Sequence, residues 1–331
     1  MKKDVASKWL DRTGMRQLAR RMLPWSGLVA LNYHRIGDAA ASPYDRGLWS
    51  ASAEAFSEQL RFLKREMDVI SPADLPEVVK GGRGRYAMVT FDDGYRDNYE
   101  VAFPILTRES LPATFFVSTG YIDTPSLPWW DEIAWMVRTG ATGPLRLDPW
   151  IEKPVAFDEP DREGAIRTLL RTYKAIASQR TEAFLEAIAA AAGTGRAPAG
   201  EGRALWMNWD MLREMKAAGM TIGGHTVTHP VLSRMTDEGQ RSEIQTCAGR
   251  LAEELGEPTR CFSYPVGSLA AFDGTTRELL RKAGMDCAFS YYGGYRTFDD
   301  WDDLDIRRVA IEPEIGGCWF RSILSLPRIF A

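Results

Sequence analysis

The chain has 331 residues, 45% of them apolar and 26% charged, which is enough apolar side chain to bury a full core and too much for a disordered chain. Its 41 basic and 45 acidic side chains leave a formal charge of −4, so no global basic field draws nucleic acid, and none is expected as a partner. Cys247, Cys261, Cys287 and Cys318 form no CxxC pair and read as buried thiols; no run reaches the roughly 18 to 20 apolar residues that span a bilayer, and no signal-peptide core with a cleavage site opens the chain, so the expected location is cytoplasmic.

Residues 1–23 form a locally basic segment, in which Lys2, Lys3, Lys8, Arg12, Arg16, Arg20 and Arg21 face only Asp4 and Asp11. Val5, Trp9, Leu10, Met15, Leu18, Met22 and Leu23 give it an irregular apolar stripe. It is either a solvated helix packed on the domain or an interfacial helix that brings the protein into peripheral contact with anionic lipid.

From residue 24 to 331 one domain is expected. Strand-like runs occur at 28–33, 86–91, 113–118, 220–224, 260–264 and 305–311, with helical patterns between them at 53–67, 98–109, 209–218, 237–255 and 275–283. Alternating strands and helices imply a parallel sheet or barrel. The interval of about 120–207 breaks that rhythm, with helical runs at 129–139, 162–178 and 181–192 and little strand signal, and reads as a helical insertion. Its Gly/Ala/Pro-rich end, 193–203, reads as a mobile loop.

Two segments carry chemistry. Val89-Thr90-Phe91-Asp92-Asp93-Gly94 puts adjacent carboxylates directly after a strand, and neighbours on an extended chain point in different directions, so one can bind a cation while the other handles protons. Taken alone, such a pair can equally cap a following helix. Gly224-His225-Thr226-Val227-Thr228-His229-Pro230 supplies imidazoles four residues apart, which share a face if the segment turns helically. With one carboxylate they make a set suited to Zn²⁺ or a similar divalent ion with positions left open for water. The chain has 3 histidines in all, which gives this clustering weight.

TFDDG at 90–94 and HTVTHP at 225–230 resemble, in order, the first two signature motifs of the polysaccharide deacetylases, carbohydrate esterase family four. Phe262-Ser263-Tyr264-Pro265-Val266-Gly267 is similar to the FxYPxG form of that family's groove-wall motif, and the resemblance covers roughly residues 28–311. It implies a distorted (β/α)7 TIM-like barrel with a helical insertion overhanging the strands' C-terminal mouth. It further implies that Asp93, His225 and His229 bind a divalent metal, most simply Zn²⁺ with Co²⁺, Ni²⁺ and Mn²⁺ as alternatives, and that Asp92 is the general base. A divalent ion acidifies water and polarises an amide carbonyl, and a nearby carboxylate takes the proton as water attacks, so the chemistry agrees. A backbone N–H near Tyr264 to Val266 would help stabilise the oxyanion, with Pro265 and Gly267 shaping that wall of the substrate groove.

The sequence departs from the family pattern twice. Most members place a general-acid His in a late motif, yet no His follows His229. Some FxYPxG-type members resemble circular permutations in which the strand bearing this His comes first, which makes His34, directly after the first expected strand, the candidate acid. Ser263 stands where most members carry an Arg that orients the catalytic Asp; Arg308, on the last expected strand, is the candidate replacement, against a purely structural role. Trp130 and Trp301 are candidates for stacking on a sugar ring, although such rings equally close a core.

The expected function is metal-dependent removal of N-acetyl groups from an N-acetylhexosamine-containing polysaccharide or glycoconjugate. The alternatives are a deacylase of a small non-sugar amide and a catalytically silent glycan-binding protein.

Overall fold

The computed structural model describes residues 2–124, 126–158 and 160–331. Seven strands, β1 (Gly27–Tyr33), β2 (Arg85–Phe91), β3 (Thr114–Val117), β4 (Thr221–Gly224), β5 (Cys261–Ser263), β6 (Cys287–Ser290) and β7 (Ile306–Ala310), pair in parallel in that order. The barrel closes because β1 pairs with both β2 and β7, with Asn32 opposite Thr90 on one side and Ala310 on the other. A two-residue strand, Asp68–Val69, adds to the outer edge of β2 near its start. The architecture is the distorted (β/α)7 TIM-like barrel expected from the sequence.

The strands read as continuous apolar runs because both of their faces are covered. Successive side chains alternate between interior and helix layer. Leu28, Ala30, Met88, Phe116, Cys261, Cys287, Phe289 and Ile306 form one cluster inside the barrel. Their neighbours Val29, Leu31, Tyr33, Val89, Phe91 and Phe115 pack into a second cluster against the surrounding helices. Gly223 on β4 belongs to the interior set: a Cβ there would lie 2.5 Å from the Phe116 ring.

Among the described residues the helices of eight residues or more are α1 (Lys2–Arg12), α2 (Met15–Met22), α3 (Ala53–Glu66), α4 (Trp129–Thr139), α5 (Arg162–Ala175), α6 (Thr181–Ala192), α7 (Trp209–Ala217), α8 (Asp237–Leu255), α9 (Gly274–Lys282) and α10 (Gly317–Ser325). Ser52 caps α3 by accepting from Ala55 N–H at 3.2 Å, and Thr236 caps α8 by accepting from Gly239 N–H at 3.2 Å.

Three expectations need correction. Strand β6 carries no strong strand signal, because Cys-Ala-Phe-Ser is four residues long and has no β-branched side chain; only pairing between β5 and β7 makes it a strand. The insertion contains an antiparallel hairpin, Pro144–Leu147 with Ile151–Ala156, whose prolines and largely exposed positions hide it from pattern reading. The loop 193–203 is tied down: the Arg196 guanidinium donates to both Glu132 oxygens at 2.8 and 2.9 Å, and also reaches Glu182 and Glu186.

Candidate active site

Two residues beyond the apolar interior the barrel turns polar. Asn32, Thr90, Asp92, Ser263 and Arg308 are all buried and bonded to one another at the C-terminal mouth. Arg308 is wholly buried and grips Asp92 with its planar fork, Nη1 to Oδ1 at 2.7 Å and Nη2 to Oδ2 at 2.8 Å. The same guanidinium donates to Ser290 O, Asn32 Oδ1 and Ser263 Oγ, so its position is over-determined. Burial works to neutralise Asp92, but the Arg308 charge and its hydrogen bonds outweigh it and hold the carboxyl well below the usual carboxylate range.

Asp93 follows β2 with φ +77° and His229 lies at φ +57°, left-handed conformations that aim their side chains at a common point. The Nε2 atoms of His225 and His229 each lie 3.5 Å from Asp93 Oδ1, and the candidate ligand atoms of the three residues all fall within 4.8 Å of one another. The histidine segment is not helical, contrary to the simplest reading of its spacing. Thr226, at φ +66°, bends it, and Thr226 Oγ accepts from His229 N–H at 3.0 Å. Glu243 on α8 ties the bend by accepting from the N–H groups of Val227 and Thr228 at 2.7 and 3.0 Å.

These donors fit a divalent cation. Asp93 Oδ1 is fully buried with no hydrogen-bond partner, an arrangement that is costly unless something positive meets it. His225 Nδ1 is 2.7 Å from Ser263 O and must donate there, which leaves Nε2 with its lone pair toward Asp93. Burial pushes His229 down to about 3, so its imidazole is neutral and able to ligate. Burial also disfavours charge on His225, but Asp92 and Asp93 overcome it and raise its pKa; with a divalent ion held by the triad, His225 would give up that proton. Among the described residues this is the group of His, Asp, Glu or Cys side chains arranged as a metal-binding triad.

His34 extends β1 into the same cavity, whose volume is about 390 Å³. Its backbone is fixed at both ends, N–H to Ser50 Oγ at 3.0 Å and C=O from Asn98 Nδ2 at 2.7 Å. Its ring meets Tyr291 edge-on at 5.7 Å and makes no hydrogen bond among the described residues. In the closed strand order β1 stands three places from β4, across the barrel from His225.

The insertion completes the wall. Trp129 Nε1 donates to His229 O at 3.1 Å. The Trp130 ring packs on the His229 imidazole with centroids 4.5 Å apart, and its Nε1 donates to Tyr95 Oη at 2.7 Å. Tyr95 in turn donates to Asp131 Oδ2 at 2.7 Å, and burial pushes the Asp131 carboxyl up to about 7. Trp130 thus borders the cavity while propping a histidine.

Of the groove-wall run, Tyr264 and Val266 line the cavity while Pro265 and Gly267 do not. Pro265 and Gly267 make the tight turn behind it, Gly267 N–H donating to Pro265 O at 2.7 Å, and a Cβ on Gly267 would lie 2.6 Å from Tyr291. Trp301 is nowhere near: it borders a different depression with Asp302 and Arg281, donates to Asp303 Oδ1 at 2.6 Å, and packs against the far end of the barrel interior. It reads as a groove residue only because it precedes the last strand; it does so at the strand's start, the end opposite the mouth.

Motif and spacing single out neither Asn32 nor Glu243. Asn32 had a signal, a polar residue interrupting an apolar strand two places before His34 and so on the same face. Glu243 had none, since nothing local distinguishes it from other helix-surface acids.

A model of the polysaccharide deacetylase family matches residues 80–142 and 169–288, more than half of the chain. The gap contains the insertion's hairpin, and β1 with His34 and β7 with Arg308 lie outside the match. Poly-beta-1,6-N-acetyl-D-glucosamine N-deacetylase of Escherichia coli (strain K12) is 33% identical over 113 residues, 33% of this chain and 16% of that protein, so the match spans a small part of the relative's length. Among solved structures, Streptococcus pyogenes deacetylase PplD in complex with acetate aligns with a TM-score of 0.57 and 19% identity over 89% of this chain and 96% of that one. IcaB from Ammonifex degensii aligns with a TM-score of 0.57 and 21% identity, covering 91% and 96%. Fold, buried triad and matched segments together place the chain in the polysaccharide deacetylase family.

Proposed function

We propose that the protein is a metal-dependent hydrolase that removes N-acetyl groups from an N-acetylhexosamine-containing polysaccharide or glycoconjugate. The observation that carries this reading is the unpartnered Asp93 Oδ1 facing two imidazole Nε2 atoms, beside a second carboxylate that is fully hydrogen-bonded and ionised. Asp93, His225 and His229 would hold the ion, and a two-nitrogen, one-oxygen set suits Zn²⁺, with Co²⁺, Ni²⁺ and Mn²⁺ as substitutes. Such an ion supplies polarisation of the amide carbonyl and acidifies water.

The remaining roles fall to the chain's own groups. Asp92 accepts the proton from the attacking water, and Arg308 keeps that carboxylate charged and correctly turned. An amine leaves poorly unless its nitrogen is protonated, and His34 is our candidate for that acid, a reading supported by its position in the cavity wall and by its ring having no hydrogen-bond partner among the described residues. The oxyanion donor narrows to one amide: Tyr264 N–H is bonded to Phe289 O at 3.0 Å and Pro265 has none, which leaves Val266.

Metal-stripped protein reloaded with Zn²⁺ should release acetate from N-acetylglucosamine oligomers, and do so faster than from small acylated amines. No acetate release with any of the four metals would sink the proposal; preference for the small amines would redirect it to a non-sugar amide.

A further inference from the structure

Helices α1 and α2, joined at Gly14, are amphipathic in the wrong sense for packing on a protein. In α1 the side turned to the body carries buried Ser7 with half-buried Asp4, Leu10 and Asp11, while Val5 and Trp9 are 62% and 53% exposed. In α2 the inner side carries Arg16, Ala19 and Arg20, while Leu18 and Met22 are 54% and 71% exposed, Met15 extends their apolar stripe one turn earlier, and Leu23 is exposed just after the helix. A surface helix ordinarily buries its apolar stripe.

The orientation is held by specific bonds. Asp11 accepts from Arg16 Nε at 2.7 Å and from Arg321 Nε at 2.9 Å; Arg16 Nη1 donates to Ser325 Oγ at 2.8 Å; Arg20 pairs with Glu66; and Lys3 Nζ donates to Phe330 O at 3.3 Å. The inner cations are therefore used in seating the hairpin on α10 and α3. Lys2, Arg12 and Arg21 are exposed and have no carboxylate partner among the described residues.

We infer that this apolar face, rimmed by free cations, docks peripherally on a lipid surface carrying anionic headgroups. The charge pattern selects that occupant. A second copy meeting the face by a two-fold contact would set the same cations against each other, whereas anionic headgroups neutralise them as the Trp, Leu and Met side chains enter the acyl boundary. With 11 and 8 residues, α1 and α2 are each far shorter than the roughly 20 residues that span a bilayer, which makes the proposed contact interfacial.

The test is flotation of the full chain with vesicles of phosphatidylcholine alone or with phosphatidylglycerol added. The parent should float with the anionic vesicles, less so as salt rises. Trp9→Glu/Leu18→Glu/Met22→Glu, all at exposed positions, should bind about tenfold more weakly or worse. Lys2→Ser/Arg12→Ser/Arg21→Ser, which touches no packed group, should lose the preference for phosphatidylglycerol. Circular dichroism establishes that both variants fold as the parent does. The inference is overturned if the parent fails to float with anionic vesicles, if the parent and both variants float equally, or if sedimentation shows a concentration-dependent dimer that the glutamate variant abolishes without any vesicle binding by the parent.

Discussion

The lower and upper halves of the barrel interior are built from the same strands by the same two-residue alternation, yet they contain opposite chemistry. The lower half, Leu28, Ala30, Met88, Phe116, Phe289 and Ile306, is apolar and closely packed. One alternation further, the interior becomes Asn32, Thr90, Ser263 and Arg308, with Asp92 one step beyond Thr90, every one of them buried and hydrogen-bonded. The comparison shows how a barrel affords a charged centre at all. Dry packing below keeps water from reaching the polar layer from that end, and the polar layer satisfies itself internally, whereas Oδ1 of the neighbouring Asp93 has no hydrogen-bond partner.

If the halves divide labour in this way, substitutions above should remove chemistry and substitutions below should remove stability. The largest effect belongs to Asp93→Ala, which should lose stoichiometric bound Zn²⁺ by elemental analysis and reduce acetate release to background, while the fold survives. His34→Ala should lower kcat by about 10²- to 10⁴-fold with Zn²⁺ content unchanged; near-normal turnover would show that another group protonates the amine. Arg308→Lys keeps the charge but loses the planar fork, and should reduce kcat roughly 10- to 100-fold in a folded, metal-loaded protein.

In the lower half, Phe289→Ala should cost about 3–5 kcal/mol in denaturant unfolding yet leave kcat per folded molecule unchanged. A large fall in kcat at permissive temperature would mean the two halves are coupled and not separable. The smallest effect concerns Asp131, which extends the polar layer behind the mouth. Its folded pKa of about 7 lies above the ordinary 3.8, so the folded state holds this proton more tightly than the unfolded one. The stability so contributed is complete below about pH 4 and is lost as pH rises to about 7. Asp131→Asn should flatten the pH dependence of the unfolding free energy across that window, by no more than about a few kcal/mol, as read by denaturant unfolding at each pH.

The same contrast runs through what pattern and spacing reveal. Six of the seven barrel strands stand out as apolar runs, because a strand buried on both faces announces itself locally. The exception, β6, is a strand through its neighbours' hydrogen bonds and not through its own composition. In the site, TFDDG and HTVTHP are legible because each brings its groups together within five or six residues. Trp301 shows the limit: proximity to a late strand in sequence says nothing about which end of that strand is meant.

What the sequence determined by itself is therefore the adjacent carboxylates, the histidine pair and the alternating α/β plan, each written in short-range order. Spacing leaves open how the carboxylates divide; the family resemblance implies a division, and the tertiary structure supplies its physical reason. Arg308 reaches Asp92 across 216 residues and Asn32 reaches it across 60, and those contacts, together with the unpartnered oxygen on Asp93, distinguish the charged neighbour from the ligand. Only the tertiary structure decided that the N-terminal helices turn their polar side inward, because ion pairs from Glu66 and Arg321, remote in sequence, fix a rotation that helical periodicity leaves free.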